Sequence, residues 1–189
     1  MDWTSWLGNI SEVFNVIVSS VALFFAVIAG KEAKRLRQED IESQRRTQAS
    51  KISAWVADVK EPNNDKKWRH VGIVVQNLSE EPVYDLCISA QCQADKKTAV
   101  PLKLDFLPVG IFYCQAKSPD SGFIDFVPIT EGSSCKSSDA WGDAKLLSEL
   151  NPSPKPVTST SHRSVGDISF RDAEGIHWKR KKKGSLVKL

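Results

Sequence analysis

The residue types that most often carry chemistry are sparse in this chain, and none falls in a catalytic spacing. The three histidines, His70, His162 and His177, occur in no H-x-x-x-H, H-E-x-x-H or cysteine-paired pattern. No phosphate-binding loop (G-x-x-x-x-G-K), dinucleotide loop (G-x-G-x-x-G) or nucleophile elbow (G-x-S-x-G) is present. The sequence therefore predicts no catalytic, metal or cofactor site, and a protein that is not an enzyme.

The four cysteines, Cys87, Cys92, Cys114 and Cys135, do not form a C-x-x-C pair. Cys87 and Cys92 are five residues apart in a predicted strand, and an odd separation places two side chains on opposite faces. They cannot bind one metal or form a disulfide without a bulge. We therefore expect reduced thiols that serve the packing of the domain.

A run of five basic residues near the C-terminus has three interpretations. It consists of Lys179, Arg180, Lys181, Lys182 and Lys183. The first interpretation is a solubilising strand edge, since lysine on an edge also blocks aggregation. The second is a contact for anionic lipid head groups. Nucleic acid ranks last, because the net charge is only +3 and no aromatic platform accompanies the run apart from Trp178.

The elements that would position any site begin with an apolar segment. The seventeen residues from Val13 to Ala29 carry no charge. As a helix they would span roughly 26 Å, which together with the flanking residues suffices for a hydrocarbon core of about 30 Å. Trp3 and Trp6 precede them, where aromatic rings favour a membrane interface. The sequence predicts an external segment over residues 1–12 and a transmembrane helix over residues 13–30.

The flanking charges favour a retained anchor over a cleaved signal peptide. The sequence VIAG, ending at Gly30, resembles a cleavage site, but a signal peptide begins with positive residues and this chain begins with Asp2 and no Lys or Arg. Four basic residues follow the segment: Lys31, Lys34, Arg35 and Arg37. The positive-inside rule then predicts a single-pass protein of the inner membrane, with its N-terminus outside and the rest of the chain in the cytoplasm.

One side of the apolar segment carries small or weakly polar residues at spacings of four, three, four and three. They are Asn15, Ser19, Ala22, Ala26 and Ala29. Small residues let membrane helices approach closely, and Asn or Ser can hydrogen-bond between helices. The pattern is a hypothesis for helix self-association. The alternative is that Ala and Ser are simply frequent in membrane helices.

Residues 31–50 contain no Pro or Gly and are rich in Glu, Gln, Lys and Arg, which are good helix formers. Few apolar residues follow Leu36, so a solvated helical stalk is favoured over a stable coiled coil.

From residue 51 onward the pattern changes to short apolar runs of period two, separated by turn signals. The absence of a strand–helix–strand unit predicts a mainly β domain over residues 51–189, an antiparallel immunoglobulin-like β-sandwich. Candidate strands lie at 52–59, 68–77, 83–92, 100–108 and 123–129, followed by a C-terminal hairpin. Alternation predicts three sets of residues that each share one face of a strand: Val71, Ile73 and Val75; Leu86, Ile88, Ala90 and Cys92; and Leu102, Leu104 and Phe106. A loop-rich insertion is expected near residues 110–156, with a short helix over 144–150. Trp141, in this insertion, is a candidate for an exposed contact.

Three stretches carry a family resemblance: SAW (residues 53–55), VVQNLSEEPVYDL (74–86) and FRDAEGIHWKRKKKGSL (170–186). They are similar to a group of uncharacterised bacterial membrane-anchored proteins, common in actinobacteria. The ending resembles F-x-D-x-x-G-x-x-W-x-R-x-x-x-G-x-L, matched here by Phe170, Asp172, Gly175, Trp178, Arg180, Gly184 and Leu186. The resemblance implies an N-terminal membrane helix, a Gln/Arg-rich stalk and a small β domain, and it implies no activity. Asp172 and Gly175 are expected to form the hairpin turn.

Two functions of different classes fit these features. The first is a non-enzymatic interaction module, in which a membrane anchor holds a cytoplasmic β-sandwich that binds a protein partner. The second is an oligomerising effector of a defence or toxin-type system, in which clustered helices perturb the membrane.

Overall fold

The computed structural model of this chain describes residues 3–60, 69–92, 97–117, 126–129, 136–157 and 163–189. The side chains of residues 3–17, 60 and 69 lie outside that description. Two compact units are present, Met1–Arg45 and Arg46–Leu189. Several predicted features fall outside the described residues, namely Trp68, residues 123–125, Cys135 and His162.

Helix α1 spans Trp3–Ser50, and its residues up to Arg45 belong to the first unit. Ion pairs along its polar part support the helix, because residues three and four apart are neighbours on a helical surface. Arg35 Nη2 lies 2.6 Å from Glu32 Oε1, and Arg35 Nε lies 3.7 Å from Glu39 Oε1. Within the described residues, no helix has a stretch of sufficient length and apolarity to cross a membrane.

The second unit is mainly β, with two antiparallel five-stranded sheets, which confirms the predicted fold class at this level. Sheet A has the order β6-β5-β2-β1-β7 and comprises β1 (Ile52–Lys60), β2 (Arg69–Asn77), β5 (Gly110–Ala116), β6 (Trp141–Leu146) and β7 (Lys155–Pro156). Sheet B has the order β10-β9-β8-β3-β4 and comprises β3 (Val83–Gln91), β4 (Leu102–Leu107), β8 (Ser164–Arg171), β9 (His177–Arg180) and β10 (Leu186–Lys188). A short helix, α2, spans Ser137–Ala140, and a 3₁₀ turn spans Leu147–Glu149.

The main core lies where apolar faces of the two sheets meet, and the period-two pattern identified most of those faces. Val71, Ile73 and Val75 of β2 are buried, as predicted, and so are Leu86, Ile88, Ala90 and Cys92 of β3 and its C-terminal end. Phe170 and Trp178 complete the core from the C-terminal hairpin. A smaller cluster on the other face of sheet A is centred on Ala57, Val74 and Tyr113.

Strand β4 departs from the predicted alternation. Leu102 is buried as expected, but Phe106 is 53% exposed and its neighbour Leu107 is fully buried. The change coincides with Asp85 of β3, which has a φ of 51° and interrupts the regular strand. Pairing with β4 continues on either side of Asp85 without a shift in register, with Tyr84 opposite Phe106 and Leu86 opposite Leu104. A residue in this left-handed region changes the side-chain alternation of its own strand, and Phe106 lies beside that irregularity.

Two expectations for the insertion were wrong. Residues 144–150 do not form a helix, because residues 141–146 pair with β5 as strand β6 and only Leu147–Glu149 form a 3₁₀ turn. Trp141 is not an exposed loop residue but 4% exposed. Its Nε1 donates to the Val100 carbonyl at 2.9 Å, and its ring contacts that of Phe126 with centroids 5.2 Å apart. Tertiary packing here overrides local propensity.

The C-terminal turn matches the expectation from the sequence. Asp172 Oδ1 accepts hydrogen bonds from the amides of Glu174 and Ile176 at 3.1 and 2.8 Å. Asp172 Oδ2 accepts one from Trp178 Nε1 at 2.7 Å, and Gly175 has a φ of 85°. The aspartate thus holds both the turn and the core tryptophan.

Asn77, at the end of β2, is fully buried and joins the two sheets. Its Nδ2 lies 3.0 to 3.3 Å from three backbone carbonyls, those of Glu81, Leu107 and Pro108. Its Oδ1 accepts hydrogen bonds from the amide and hydroxyl of Ser79. One side chain therefore fixes the turn that leads into β3 and the end of β4.

We expect Asn77→Ala to lower the free energy of unfolding by about 2–3 kcal/mol, because buried carbonyls lose their donor. Asn77→Asp should destabilise at least as much at neutral pH, because a carboxylate cannot donate to those carbonyls. Gln76→Ala is the control, since Gln76 is only half-buried and next to Asn77. Urea denaturation of the full chain measures all three, and equal effects of Asn77→Ala and Gln76→Ala would contradict the assignment.

Candidate binding surfaces

Four residues on three neighbouring strands form what we call the Tyr84 cluster: Tyr84, Asp85, Phe106 and Arg171. The Tyr84 and Phe106 rings lie 5.7 Å apart between centroids. The Arg171 guanidinium carbon lies 5.1 Å from the Tyr84 ring centroid, a cation–π geometry. Arg171 Nε also donates to Asp85 Oδ2 at 2.7 Å. Strands β4, β3 and β8 are adjacent in sheet B, which brings the four side chains together.

The Tyr84 cluster has the composition of a protein-binding site. Tyr and Arg are enriched among the residues that dominate binding energy at interfaces, and Phe is enriched at interface cores. Phe106 is 53% exposed, and the Arg171 and Asp85 side chains are 36% and 55% exposed. Backbone conformations such as that of Asp85 are held against strain and concentrate at functional positions. The cluster is partly exposed and partly apolar, and its side chains contact one another.

A groove of about 470 Å³ crosses the outer face of sheet A. It is lined by Val59, His70, Tyr113, Gln115, Asp143, Lys145 and Leu150, among others. The Tyr113 ring lies against Gly72, where an added Cβ would be 2.6 Å from the ring. The Tyr113 hydroxyl donates to the His70 carbonyl at 3.0 Å, and Gln115 Nε2 lies 3.0 Å from His70 Nδ1.

The groove offers little for catalysis. Burial, with a smaller contribution from Asp58, raises the pKa of Tyr113, so its hydroxyl remains a neutral hydrogen-bond donor. Beneath it, burial raises the pKa of the Cys114 thiol to about 12, which keeps the thiol protonated and a poor nucleophile. Among the described residues, no group of His, Cys, Asp and Glu could hold a metal ion.

The basic run is largely engaged in the fold. Lys179 Nζ lies 3.0 Å from Asp167 Oδ2, and the Lys182 amide donates to Asp167 Oδ1 at 3.1 Å. Lys182 Nζ reaches Gln91 Oε1 and Ser164 Oγ, each at 3.0 Å. Arg180 Nη2 donates to the Ser50 carbonyl at 2.5 Å. Only Lys181 and Lys183 of the run are both exposed and outside these contacts.

The predicted residues on α1 lie along one helix. Ser19, Ala22, Ala26 and Ala29 are exposed, and Asn15 belongs to the part whose side chains are not described. Lys31, Lys34, Arg35 and Arg37 are exposed too. Self-association and membrane orientation therefore stay predictions. The sequence did not identify the Tyr84 cluster or the groove, because both combine residues from distant strands.

Comparison with known proteins adds no family. No protein-family model matches the chain. No curated protein and no solved structure matches it either.

The contacts of Asp167 predict a pH dependence. A hydrogen bond from Lys179, followed by one from the Lys182 amide, lowers the pKa of Asp167. A carboxyl with a lowered folded-state pKa stabilises the protein above its unfolded pKa, and that stabilisation is lost as pH falls through the folded pKa. Asp167→Asn should therefore slightly lower Tm at pH 7, and the difference from wild type should shrink as the pH falls below about 4.

Thermal unfolding of the full chain followed by circular dichroism measures this difference. The matched control is Asp105→Asn, because Asp105 is an exposed carboxylate on β4. A Tm difference for Asp167→Asn that stays constant as the pH is lowered from 7 to well below 4 would contradict the ion pair.

Proposed function

We propose that this chain is a single-pass membrane-anchored β-sandwich that binds a protein partner through the Tyr84 cluster and is not an enzyme. The observation that carries the proposal is an aromatic pair, formed by the exposed Phe106 and the half-buried Tyr84, with the Arg171 guanidinium over the Tyr84 ring. The partner would place an apolar side chain against Phe106 and Tyr84. The resemblance to bacterial membrane-anchored proteins, with an N-terminal anchor and a small β domain, agrees with this proposal.

The proposed span over residues 13–30 begins among residues whose side chains lie outside the described part, so the membrane part of the proposal rests on the exposed residues of α1 that follow and on charge. Leu23, Phe24 and Phe25 follow one another and are 67%, 63% and 64% exposed. Consecutive helical residues point in different directions, so this part of the helix is apolar all round, as expected for a segment buried in a membrane. By the positive-inside rule, the basic residues over 31–37 support a sandwich on the cytoplasmic side of the inner membrane.

The sandwich is further proposed to be immunoglobulin-like. In immunoglobulin domains one sheet has the neighbour order A-B-E-D, and the other contains C, F and G. Here β1, β2, β5 and β6 follow one another across sheet A, and β3, β8 and β9 across sheet B. The chain order differs in one respect. Here β6 lies at the position of strand D and β5 at that of strand E, and β6 follows β5 along the chain. In immunoglobulin domains strand D precedes strand E.

Anchoring is tested by introducing charge into α1. We expect Leu23→Lys with Phe24→Lys to release most of the full chain from membranes on alkaline carbonate extraction, since each lysine costs about 3 kcal/mol at a helix centre. Leu36→Lys is the control, because Leu36 is also an exposed apolar residue of α1, at 54%, but lies among the charged residues. Equal extraction of wild type and both variants would contradict the anchor.

Partner binding is tested by placing the photoreactive residue benzoylphenylalanine at position 106 of the full chain in living cells. We expect one light-dependent adduct with a different protein. Arg171→Ala in the same chain should reduce that adduct roughly fivefold or more, as for a residue that dominates binding. An adduct whose mass equals two copies of this 21.0 kDa chain would contradict a separate partner.

The matched control carries the same photoreactive residue at Val187. That residue is 41% exposed on β10, at the opposite edge of sheet B. If position 187 gives the same adduct in the same yield, the Tyr84 cluster is not the binding site.

A further inference from the structure

Among the described residues, each sheet has two edge strands: β6 and β7 in sheet A, β10 and β4 in sheet B. An edge strand exposes amide and carbonyl groups that can pair with another chain, and proteins usually block such edges. Three of the four edges are blocked or poorly suited to pairing. β7 has two residues and ends at Pro156, which has no amide hydrogen.

The two edges of sheet B are limited in other ways. In β4 the Lys103 amide already donates to Ser137 Oγ of α2 at 3.0 Å. The strand β10 has three residues, Leu186–Lys188. Suppose that β10 paired antiparallel with β10 of a second copy around a two-fold axis at Val187. Leu186 of each copy would then lie opposite Lys188 of the other, and an apolar side chain opposite a charged one forms no favourable pair.

The fourth edge strand, β6, is open and self-complementary. It is six residues long, and its exposed centre is Asp143, Ala144 and Lys145. Within the described part of the chain, the Asp143 and Lys145 side chains form no hydrogen bond or ion pair. Residues two apart in a strand lie on the same face, so both charges face the same side with a small residue between them.

We propose that β6 pairs antiparallel with β6 of a second copy of this chain, joining two A sheets into one. A two-fold axis at Ala144 places Asp143 of each copy opposite Lys145 of the other. Side chains opposite each other in an antiparallel pair have Cβ atoms about 4.5–5.5 Å apart, so two equivalent ion pairs form. This contact uses a different surface from the Tyr84 cluster and does not depend on the proposed partner.

The test uses a carbodiimide, which couples a carboxylate to an amine only when the two touch. Unlabelled and ¹⁵N-labelled full chains are mixed in membranes, and mass spectrometry identifies links between copies. We expect an Asp143–Lys145 link between an unlabelled and a labelled copy. The internal control is Lys103 and Asp105 on β4, an exposed pair with the same spacing, whose link should be roughly tenfold weaker or absent.

Charge exchange makes the test specific. Asp143→Lys alone carries two lysines in β6, and Lys145→Asp alone carries two aspartates, so neither can link to itself. An equimolar mixture of the two variants should restore the link between copies. The double variant with both changes should restore it too, because the charges remain complementary.

Three results would overturn the pairing. They are a wild-type protein with no inter-copy link at these residues, a variant mixture with no link where wild type has one, and a Lys103–Asp105 link of equal strength. The wild-type measurement decides the matter even if a variant fails to fold.

Discussion

A single buried amide sets the geometry on which the sandwich and its surfaces depend. After β2 the chain leaves sheet A, and after β4 it returns to sheet A as β5. Asn77 contacts backbone carbonyls at both crossings. Buried carbonyls without donors are costly, and here one side-chain NH2 group lies within hydrogen-bonding distance of three carbonyls and shares its two hydrogens among them. No other residue type of this size can donate two hydrogen bonds and accept two more in so small a space.

The Tyr84 cluster follows from that constraint. Asn77 fixes the Glu81 carbonyl just before β3, and the Leu107 carbonyl at the end of β4. Tyr84 and Phe106 are register partners one position from Val83 and Leu107, both of which are buried. Both strand ends are held inward, and the irregular conformation of Asp85 lies between them and the regular part of β3. The position of the partly exposed aromatic pair therefore follows strand geometry and not an excess of apolar residues.

Local sequence patterns predicted the structural features that depend on residues close to one another in the chain. The alternation in β2 and β3 showed which faces are buried, and the Asp172 and Gly175 turn was evident from residue type. Sequence could not show the reversal at Phe106, because a non-glycine residue with positive φ has no reliable signal. The burial of Trp141 was missed for a similar reason, since its hydrogen-bond partner Val100 lies 41 residues away in sequence.

The same distinction applies to the basic run. Its charge is visible in the sequence, but its partners, Asp167, Gln91 and Ser164, come from β8 and β3. Once these contacts form, Lys179 is paired with a carboxylate, and the anionic-lipid hypothesis retains Lys181, Lys182 and Lys183 as its exposed charges. A count of lysines therefore overestimates the charge that is available to a partner.

Weak contacts suffice for a protein of the proposed kind. Confinement to a membrane raises the effective concentration of neighbouring copies and partners, so a short strand pair or a small aromatic surface can act without high intrinsic affinity. A soluble protein with the same open strand edge would be at risk of aggregation. An antiparallel pair related by a two-fold axis leaves neither copy of that edge strand open, so the assembly ends at two copies. The charges of Asp143 and Lys145 favour that closed pair over pairing with an unrelated strand.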